Sequence, residues 1–186
     1  TPQGDWFYAD GTIDRLRRRL VCVREDHTVE GREAVTTLVG LPLDGPVTAG
    51  RILVSGHDFY SNPRFSPDFT RLSWLAWRHP QMPWDGTELW IAEVTRDGAI
   101  EGPRRVAGGE AESIFQPGWS PDGTLYFVSD RSGWWNLHRL RDGLVEPVHS
   151  MAAEFGRPLW QLGTSTWAFA DERRLVVTYA QRGRWH

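Results

Sequence analysis

The stretch LYFVSD (125–130), followed closely by GWWN (133–136), returns fifty positions later in the chain as LVVTY (175–179) and GRW (183–185). Both copies combine β-branched and aromatic residues with a break that contains glycine. This composition is typical of strands joined by tight turns. A self-similar period of about this length indicates a repeat architecture made of small sheets, such as the blades of a propeller.

Earlier copies of the same strand occur as LSWL (72–75) and LVCV (20–23). Four strands of ordinary length and their turns fill a period of about fifty residues. The sequence therefore predicts an all-β protein, a partial β-propeller of four-stranded antiparallel blades with about three and a half blades present. The predicted blades cover residues 5–56, 57–110 and 111–152, with an incomplete blade at 153–186. The strands predicted for the first two blades are 6–13, 20–25, 35–43, 51–55, 62–66, 71–77, 88–94 and 103–107.

Two related tetrapeptides, SPDG (120–123) and SPDF (66–69), precede the repeated strand. Serine at the first position, proline at the second and glycine at the fourth are the preferences of a type I turn. Phe69 occupies the position that Gly123 holds in the other copy. We therefore expect Phe69 to adopt a positive φ, at a cost of about 1–2 kcal/mol for a residue with a side chain.

A second repeated element consists of an acid, a proline and an aromatic residue two positions after the proline. Its copies are Asp58 with Pro63 and Phe65, Glu112 with Pro117 and Trp119, and Glu154 with Pro158 and Trp160. Proline suits the opening of a strand, where no ladder hydrogen bond is lost, so each copy is predicted to begin the first strand of a blade.

The innermost strands of a propeller line its central channel, so this element supplies candidate substrate-facing residues. They are the residue before each proline and two of the acids, namely Asn62, Gln116, Arg157, Glu112 and Glu154. Arg157 is the best single candidate for contacting a peptide carboxylate or carbonyl. The competing interpretation is that these polar groups satisfy the backbone amides of nearby loops.

Charge and composition narrow the class of protein. The formal net charge is −3, which argues against nucleic acid or an anionic membrane as the partner. No apolar stretch approaches the roughly 20 residues of a membrane span, and a cytoplasmic location is expected. The basic cluster Arg15–Arg19 is interpreted as a solvated hairpin tip. Cys22, the single cysteine, lies in a predicted strand and is expected to be a buried structural thiol.

The sequence offers neither a catalytic centre nor a metal or cofactor site. No G-x-S-x-G nucleophile elbow occurs, and the nearest match, GTSTW (163–167), has Trp167 in place of the last glycine. The six histidines lack the spacing of a zinc site. No catalytic residue, no metal ligand and no cofactor is therefore assigned, and this chain by itself is expected to have no peptidase activity.

Several longer strings resemble one family. They are VREDH (23–27), LVSGHDFYSNPRFSP (53–67), MPWDGTELWIAEV (82–94), ESIFQPGWSPDGTLYFVSDRSGWWNLHRL (112–140) and EFGRPLWQLGTSTWAF (154–169). Together they resemble the N-terminal propeller of bacterial prolyl oligopeptidase-family serine peptidases, of the dipeptidyl aminopeptidase and acylaminoacyl-peptidase type. The resemblance implies a parent hydrolase that cleaves short peptides. It also implies a C-terminal α/β-hydrolase domain, absent from these residues, that the propeller covers.

An alternative function comes from a different class, a stand-alone propeller of the WD or TolB type that serves as a protein-binding scaffold. The pairs Gly56-His57 and Trp84-Asp85 imitate WD-repeat landmarks, but each occurs once. In either case, three and a half blades would leave sheet faces and the edge of an unfinished sheet uncovered. We therefore expect self-association through the open blades.

Overall fold

A computed structural model describes residues 4–46, 48–172 and 174–186. These residues form sixteen strands and no helix, and twelve of the strands make three four-stranded antiparallel sheets in chain order. The first sheet comprises β1 (Trp6–Asp14), β2 (Arg19–Asp26), β3 (Val35–Pro42) and β4 (Arg51–Val54). The second comprises β5 (Phe59–Phe65), β6 (Arg71–Trp77), β7 (Thr87–Val94) and β8 (Ile100–Gly109). The third comprises β9 (Ile114–Trp119), β10 (Leu125–Ser129), β11 (Asn136–Arg141) and β12 (Leu144–His149).

The remaining strands form two short antiparallel pairs. They are β13 (Trp167–Phe169) with β14 (Leu175–Val177), and β15 (Ala180–Gln181) with β16 (Arg184–Trp185). The three sheets and these short strands confirm the predicted fold class, a partial β-propeller. No helix in the described ranges is long and apolar enough to cross a membrane.

The hydrophobic core lies between successive sheets, as expected when blades pack face to face. Leu38 of the first sheet belongs to one buried cluster with Leu72 and Trp74 of the second. A second cluster joins β6 and β7 to β9 and β10, and a third joins the third sheet to Phe155 and Trp167. Strand β6, for example, alternates its side chains between two neighbouring cores, with Leu72 and Trp74 in the first cluster and Leu75 in the second.

The two predicted turns have the expected geometry. The amide of Gly123 donates to the carbonyl of Ser120, and the amide of Phe69 donates to that of Ser66, each at 2.9 Å. Gly123 has a φ of +83° and Phe69 a φ of +58°. The prediction that Phe69 occupies a left-handed position is confirmed, although its side chain carries a Cβ that disfavours this conformation.

The interpretation of Arg15–Arg19 as a solvated tip is wrong for two of its residues. The side chains of Arg17 and Arg19 are about nine-tenths buried and both pair with Asp14, whose side chain is fully buried. Arg19 donates to the carbonyl of Gly98 in the second sheet, and Arg17 donates to that of Thr95, each at 2.8 Å. The hairpin tip therefore clamps the first sheet to the second, which a charge count along the chain cannot reveal.

The third copy of the acid–proline–aromatic element does not open a strand. No strand occurs in residues 157–165, which we term the crossing segment, and β13 begins at Trp167 instead. The crossing segment runs over neighbouring blades, because Trp160 packs on Trp84 of the second sheet with ring centroids 4.1 Å apart. The prediction failed because this aromatic residue packs on a distant loop rather than between adjacent strands.

The first sheet is partly covered on the side away from the second sheet, where Val35 and Ile52 remain more than half exposed. Cys22 alternates along β2 with core residues, so it faces that side, and it is only 1% exposed. Tyr8 and Arg24 both donate to the carbonyl of Ala49, which brings the loop after β3 against this face. Burial raises the pKa of the Cys22 thiol to about 11, so the prediction of a buried structural thiol is confirmed.

Candidate functional site

The first strand of each sheet lies on the inner side of the assembly, where β5 contacts both β1 and β9. Each of these strands is interrupted by a bulge, at which a polar residue adopts a left-handed conformation. These residues are Asp10, Asn62 and Gln116, with φ between +48° and +51°. A bulge turns the side chain out of the regular alternation, so the polar groups project between neighbouring blades.

Two of the bulge side chains bind the next blade. A carboxylate oxygen of Asp10 accepts the backbone amide of Asn62 at 2.5 Å. The side-chain amide of Gln116 donates to the carbonyl of Trp167 and accepts from the backbone amide of Thr166, each at 2.7 Å. The bulges thus align the inner strands with one another through charge-assisted or paired hydrogen bonds.

The third bulge side chain, Asn62, lacks such a partner. It is only 2% exposed, and its Oδ1 atom makes no hydrogen bond to any residue that the structure describes. The indole Nε1 of Trp167 is also buried and has no hydrogen-bond partner among the described residues. A buried polar atom without a partner costs about 1–3 kcal/mol, so both atoms call for a ligand or a functional explanation.

Asn62 and Trp167 line the same pocket, which has a volume of about 400 Å³. The pocket lies between the inner strands β5, β9 and β13, and the crossing segment contributes Gly163 to Ser165 to its wall. Arg64 and the rings of Phe65, Trp119 and Phe169 complete a lining that is aromatic with a few polar groups. This composition is typical of small-ligand sites.

Arg64 is the charged group of the pocket. Its Nη1 atom lies 3.3 Å from a carboxylate oxygen of Asp10 and donates to the carbonyl of Pro63 at 2.7 Å. The Asp10 side chain is 4% exposed and that of Arg64 is 32% exposed. The carboxylate is therefore held inside the structure, while the Arg64 side chain is partly exposed and the residue lines the pocket.

Glu112 lies just before β9 and Glu154 lies after β12, and neither lines the pocket. Glu112 binds Arg131 through two hydrogen bonds of 3.0 and 3.2 Å and also accepts from the hydroxyl of Ser129. Burial raises the pKa of Glu112, but the hydrogen bonds from Arg131 and Ser129 outweigh it and hold this pKa below its usual value. Glu154 accepts the backbone amide of Trp135 at 2.9 Å. Both acids thus order loops in this structure.

The structure separates the five candidate residues into two groups. Asn62 and Gln116 come together in the pocket. Arg157 is exposed at the start of the crossing segment, and Glu112 and Glu154 hold the loops described above. Sequence reasoning missed Arg64 and Trp167. A signal existed for Arg64, which follows the repeated Pro63 directly, but only the residue before each proline was considered.

Nucleophilic or metal chemistry finds no support in the described ranges. The hydroxyl of Ser165 donates to the carbonyl of Trp167 at 3.0 Å, a local contact two residues along the chain rather than a contact with a base. His57 binds Glu88 at 3.0 Å and packs edge-on against Trp90. Within these ranges, no group of three histidine, cysteine or acidic residues is placed to hold a metal ion.

Solved structures similar to this chain include puromycin hydrolase. A serine-to-alanine mutant of that protein, complexed with PGG, shares 38% identity over 94% of this chain with a TM-score of 0.88. A puromycin-hydrolyzing peptidase from Mycobacterium tuberculosis shares 36% identity over 94% of this chain with a TM-score of 0.87. The resemblance to the propeller region of prolyl oligopeptidase-family peptidases is confirmed. This chain spans 28% of the length of each of these proteins.

A more distant likeness concerns the fold alone. TolB from Acinetobacter baumannii matches 96% of this chain, which spans 39% of that protein, with a TM-score of 0.63 and 16% identity. Neither the scan against protein-family models nor the search of curated proteins returned a match. The peptidase propellers are thus the similar structures that carry information beyond the fold.

Proposed function

We propose that this chain is the non-catalytic, substrate-gating propeller region of a serine peptidase that acts on short peptides. One observation carries the proposal, the identity of 36–38% over 94% of the chain to puromycin-hydrolysing proteins. The catalytic serine, its base and the oxyanion hole would then lie on an α/β-hydrolase domain outside these residues. The finer assignments, dipeptidyl aminopeptidase or acylaminoacyl-peptidase, in a bacterial cytoplasm, belong to the same proposal.

The arrangement of the inner strands supports a gating role. The pocket lies between the first strands of successive blades, where a central channel would run. The crossing segment spans this side, with Leu162 beside Phe7 and Phe59 of the first two sheets. A channel partly crossed by a loop admits extended chains and small amides and excludes folded proteins by size alone.

The candidate residues have different parts in this proposal. Asn62 and Gln116 are the proposed substrate-facing groups, since both line the pocket. Arg157 remains a candidate because it is exposed on the crossing segment, where it is free to meet a peptide that enters. Glu112 and Glu154 act indirectly in this scheme, by ordering the loops at that end of the third sheet.

The test begins with the complete open reading frame that contains these residues. We expect it to encode a G-x-S-x-G elbow followed by aspartate and histidine, and its product to hydrolyse chromogenic aminoacyl or dipeptidyl amides or puromycin. Substituting alanine for the elbow serine should abolish turnover. The 186-residue chain alone should show none, with or without Ser165→Ala. A reading frame that adds only further blades would contradict the proposal and favour a protein-binding scaffold.

Self-association of the isolated chain is a further part of the proposal. The terminal strands leave Val176 and Trp185 about 60% exposed, so an apolar surface is available for pairing. The outer face of the first sheet contributes less than the sequence suggested, because the loop that includes Ala49 covers part of it. Light scattering over a concentration series should show the mass rising, and a strictly monomeric species at high micromolar concentration would contradict this.

A further inference from the structure

We propose that the pocket binds the C-terminal carboxylate of a short peptide on the guanidinium edge of Arg64. This deepens the proposed function, on which the peptide nature of the ligand rests. The argument starts from the arginine itself. The side-chain hydrogen bonds that Arg64 makes in the described ranges all involve Nη1, which is shared by Asp10 and the carbonyl of Pro63. The opposite edge, formed by Nε and Nη2, makes no hydrogen bond in those ranges, and Arg64 lines the pocket.

Two other arginines of this chain bind a carboxylate through that edge, whereas Arg17 binds backbone carbonyls through it. Arg131 holds Glu112 with Nε at 3.0 Å and Nη2 at 3.2 Å from the two carboxylate oxygens. Arg139 holds Glu146 with Nε at 3.1 Å and Nη2 at 3.0 Å. The edge is a planar pair of donors whose spacing matches a carboxylate. Arg64 carries the same pair of donors, which make no hydrogen bond in the described ranges, and it lines the pocket.

Two buried polar atoms of residues that line the pocket match the end of a peptide, and a ligand reaches them once the side chains that cover them move. Asn62 Oδ1 is a buried acceptor and Trp167 Nε1 a buried donor, and neither has a partner in the described part of the chain. A peptide terminus supplies an amide N–H for the first and a carbonyl or carboxylate oxygen for the second. The rings of Phe65, Trp119 and Phe169 line the same space and suit an apolar last side chain.

Charge explains why a carboxylate is preferred to a cation. The Asp10 carboxylate is already satisfied by the amide of Asn62 and by Arg64, and its side chain is 4% exposed. The guanidinium is therefore the charge that a ligand in the pocket meets. An ammonium group placed there would face this cation without a free acid in the pocket lining to balance it.

The experiment measures binding to the 186-residue chain by calorimetry or by NMR shift titration. The probes are Gly-Gly-Phe, its C-terminal amide, and 3-phenylpropionate as a carboxylate without a peptide. We expect the free acid to bind about ten-fold more tightly than the amide, the difference a charged hydrogen-bonded pair provides. 3-Phenylpropionate should bind more weakly than the peptide. Equal affinity for it would overturn the assignment to a peptide terminus.

Variants assign the roles of the residues. Arg64→Gln should weaken binding of the free-acid peptide about ten-fold and leave binding of the peptide amide unchanged. Arg104→Gln, on the outermost strand β8, should change neither affinity. Asn62→Gly, which suits the positive φ at this position, should weaken acid and amide alike, because both carry the peptide N–H. Circular dichroism checks each fold. If Arg64→Gln fails to fold, Arg64→Lys keeps a positive charge near Asp10, removes the paired donors and should still weaken the acid.

The outcome separates this inference from the proposed function. Hydrolysis by the complete protein without Arg64-dependent binding would overturn the carboxylate site and leave the peptidase assignment standing. A reading frame without a nucleophile elbow would overturn the peptidase assignment, while the discrimination between acid and amide would still decide the site. Loss of that discrimination in Arg104→Gln as well would overturn the role of Arg64.

Discussion

The seam between the first and second sheets differs in kind from the seam between the third sheet and the short strands after it. At the first seam, the buried Asp14 gathers Arg17 and Arg19, which reach the turns of the second sheet. At the last seam, the neutral side chain of Gln116 binds the backbone of Thr166 and Trp167. One seam depends on paired charges and the other on a paired amide beside an aromatic core.

The difference predicts how much stability is lost when one side chain is removed from each seam. Removing one member of a buried ionic cluster leaves unpaired charges in a low-dielectric site, which is costly. Removing a neutral amide leaves only backbone groups without partners, which costs less. Burial lowers the pKa of Arg19 despite its hydrogen bond to Asp14, as expected for a desolvated cation.

The largest effect is expected for Asp14→Ala. This change leaves Arg17 and Arg19 without their shared acid, so the free energy of unfolding should fall by about 3–5 kcal/mol. Urea denaturation followed by tryptophan fluorescence measures it. The matched control is Asp44→Ala, which breaks the exposed pair with Arg18 and should lower the free energy of unfolding far less. Equal costs for the two variants would show that the first seam does not depend on its buried charges.

Gln116→Ala tests the neutral seam. The backbone amide of Thr166 and the carbonyl of Trp167 lose their partner, so we expect a loss of about 2 kcal/mol in the same denaturation experiment. Gln161→Ala, at an exposed position of the crossing segment, serves as the control and should stay within about 0.5 kcal/mol of the wild type. A cost for Gln116→Ala above that of Asp14→Ala would reverse the comparison.

The turn that Arg17 contacts supplies a smaller test. Phe69→Gly relieves the positive φ at a position whose carbonyl accepts from Arg17 at 3.1 Å, so it should be stabilising or nearly neutral. The opposing contribution is the contact of its ring with Phe65. The converse change in the matching turn, Gly123→Ala, should destabilise by about 1 kcal/mol. A loss above about 2 kcal/mol for Phe69→Gly would mean that ring packing outweighs the backbone strain.

The smallest effect is expected for the pH dependence of stability that Asp68 contributes in the same turn. The hydroxyl of Ser66 and the amide of Thr70 hydrogen-bond Asp68 and lower its pKa to about 2. Because the folded pKa lies below the unfolded value of about 3.9, this stabilisation is present above about pH 4 and is lost as the pH falls towards 2.

We expect Asp68→Asn to cost less than about 1 kcal/mol at pH 7, since the group is mostly exposed, and to cost less still at pH 2. Urea denaturation at both pH values measures this. Asp122→Asn should behave alike, because the pKa of Asp122 is lowered by the same contacts in the matching turn, from Ser120 and Thr124. A cost of Asp68→Asn that does not change with pH would show that the carboxylate does not stabilise the turn.

Local signals predicted much of the fold. The strands expected at 6–13, 20–25 and 71–77 agree with β1, β2 and β6 to within one residue. The ends of these strands are marked by turn residues. The φ preferences of turn residues depend on a stretch of about four positions, so the strand ends can be predicted from the local sequence alone. The same local chemistry correctly identified the strained position of Phe69.

The sequence by itself thus determined the all-β repeat, the turns and the family resemblance, because each rests on residues close together in the chain or on long matching strings. Only the tertiary structure decided that Arg17 and Arg19 are buried, that Trp160 packs on Trp84, and that Arg64 meets Asn62 and Trp167 in one pocket. Arg64 and Trp167 are about a hundred positions apart, and the packing of blades around a common axis brings them together. Burial and partners of a charged side chain depend on that packing, which no local pattern encodes.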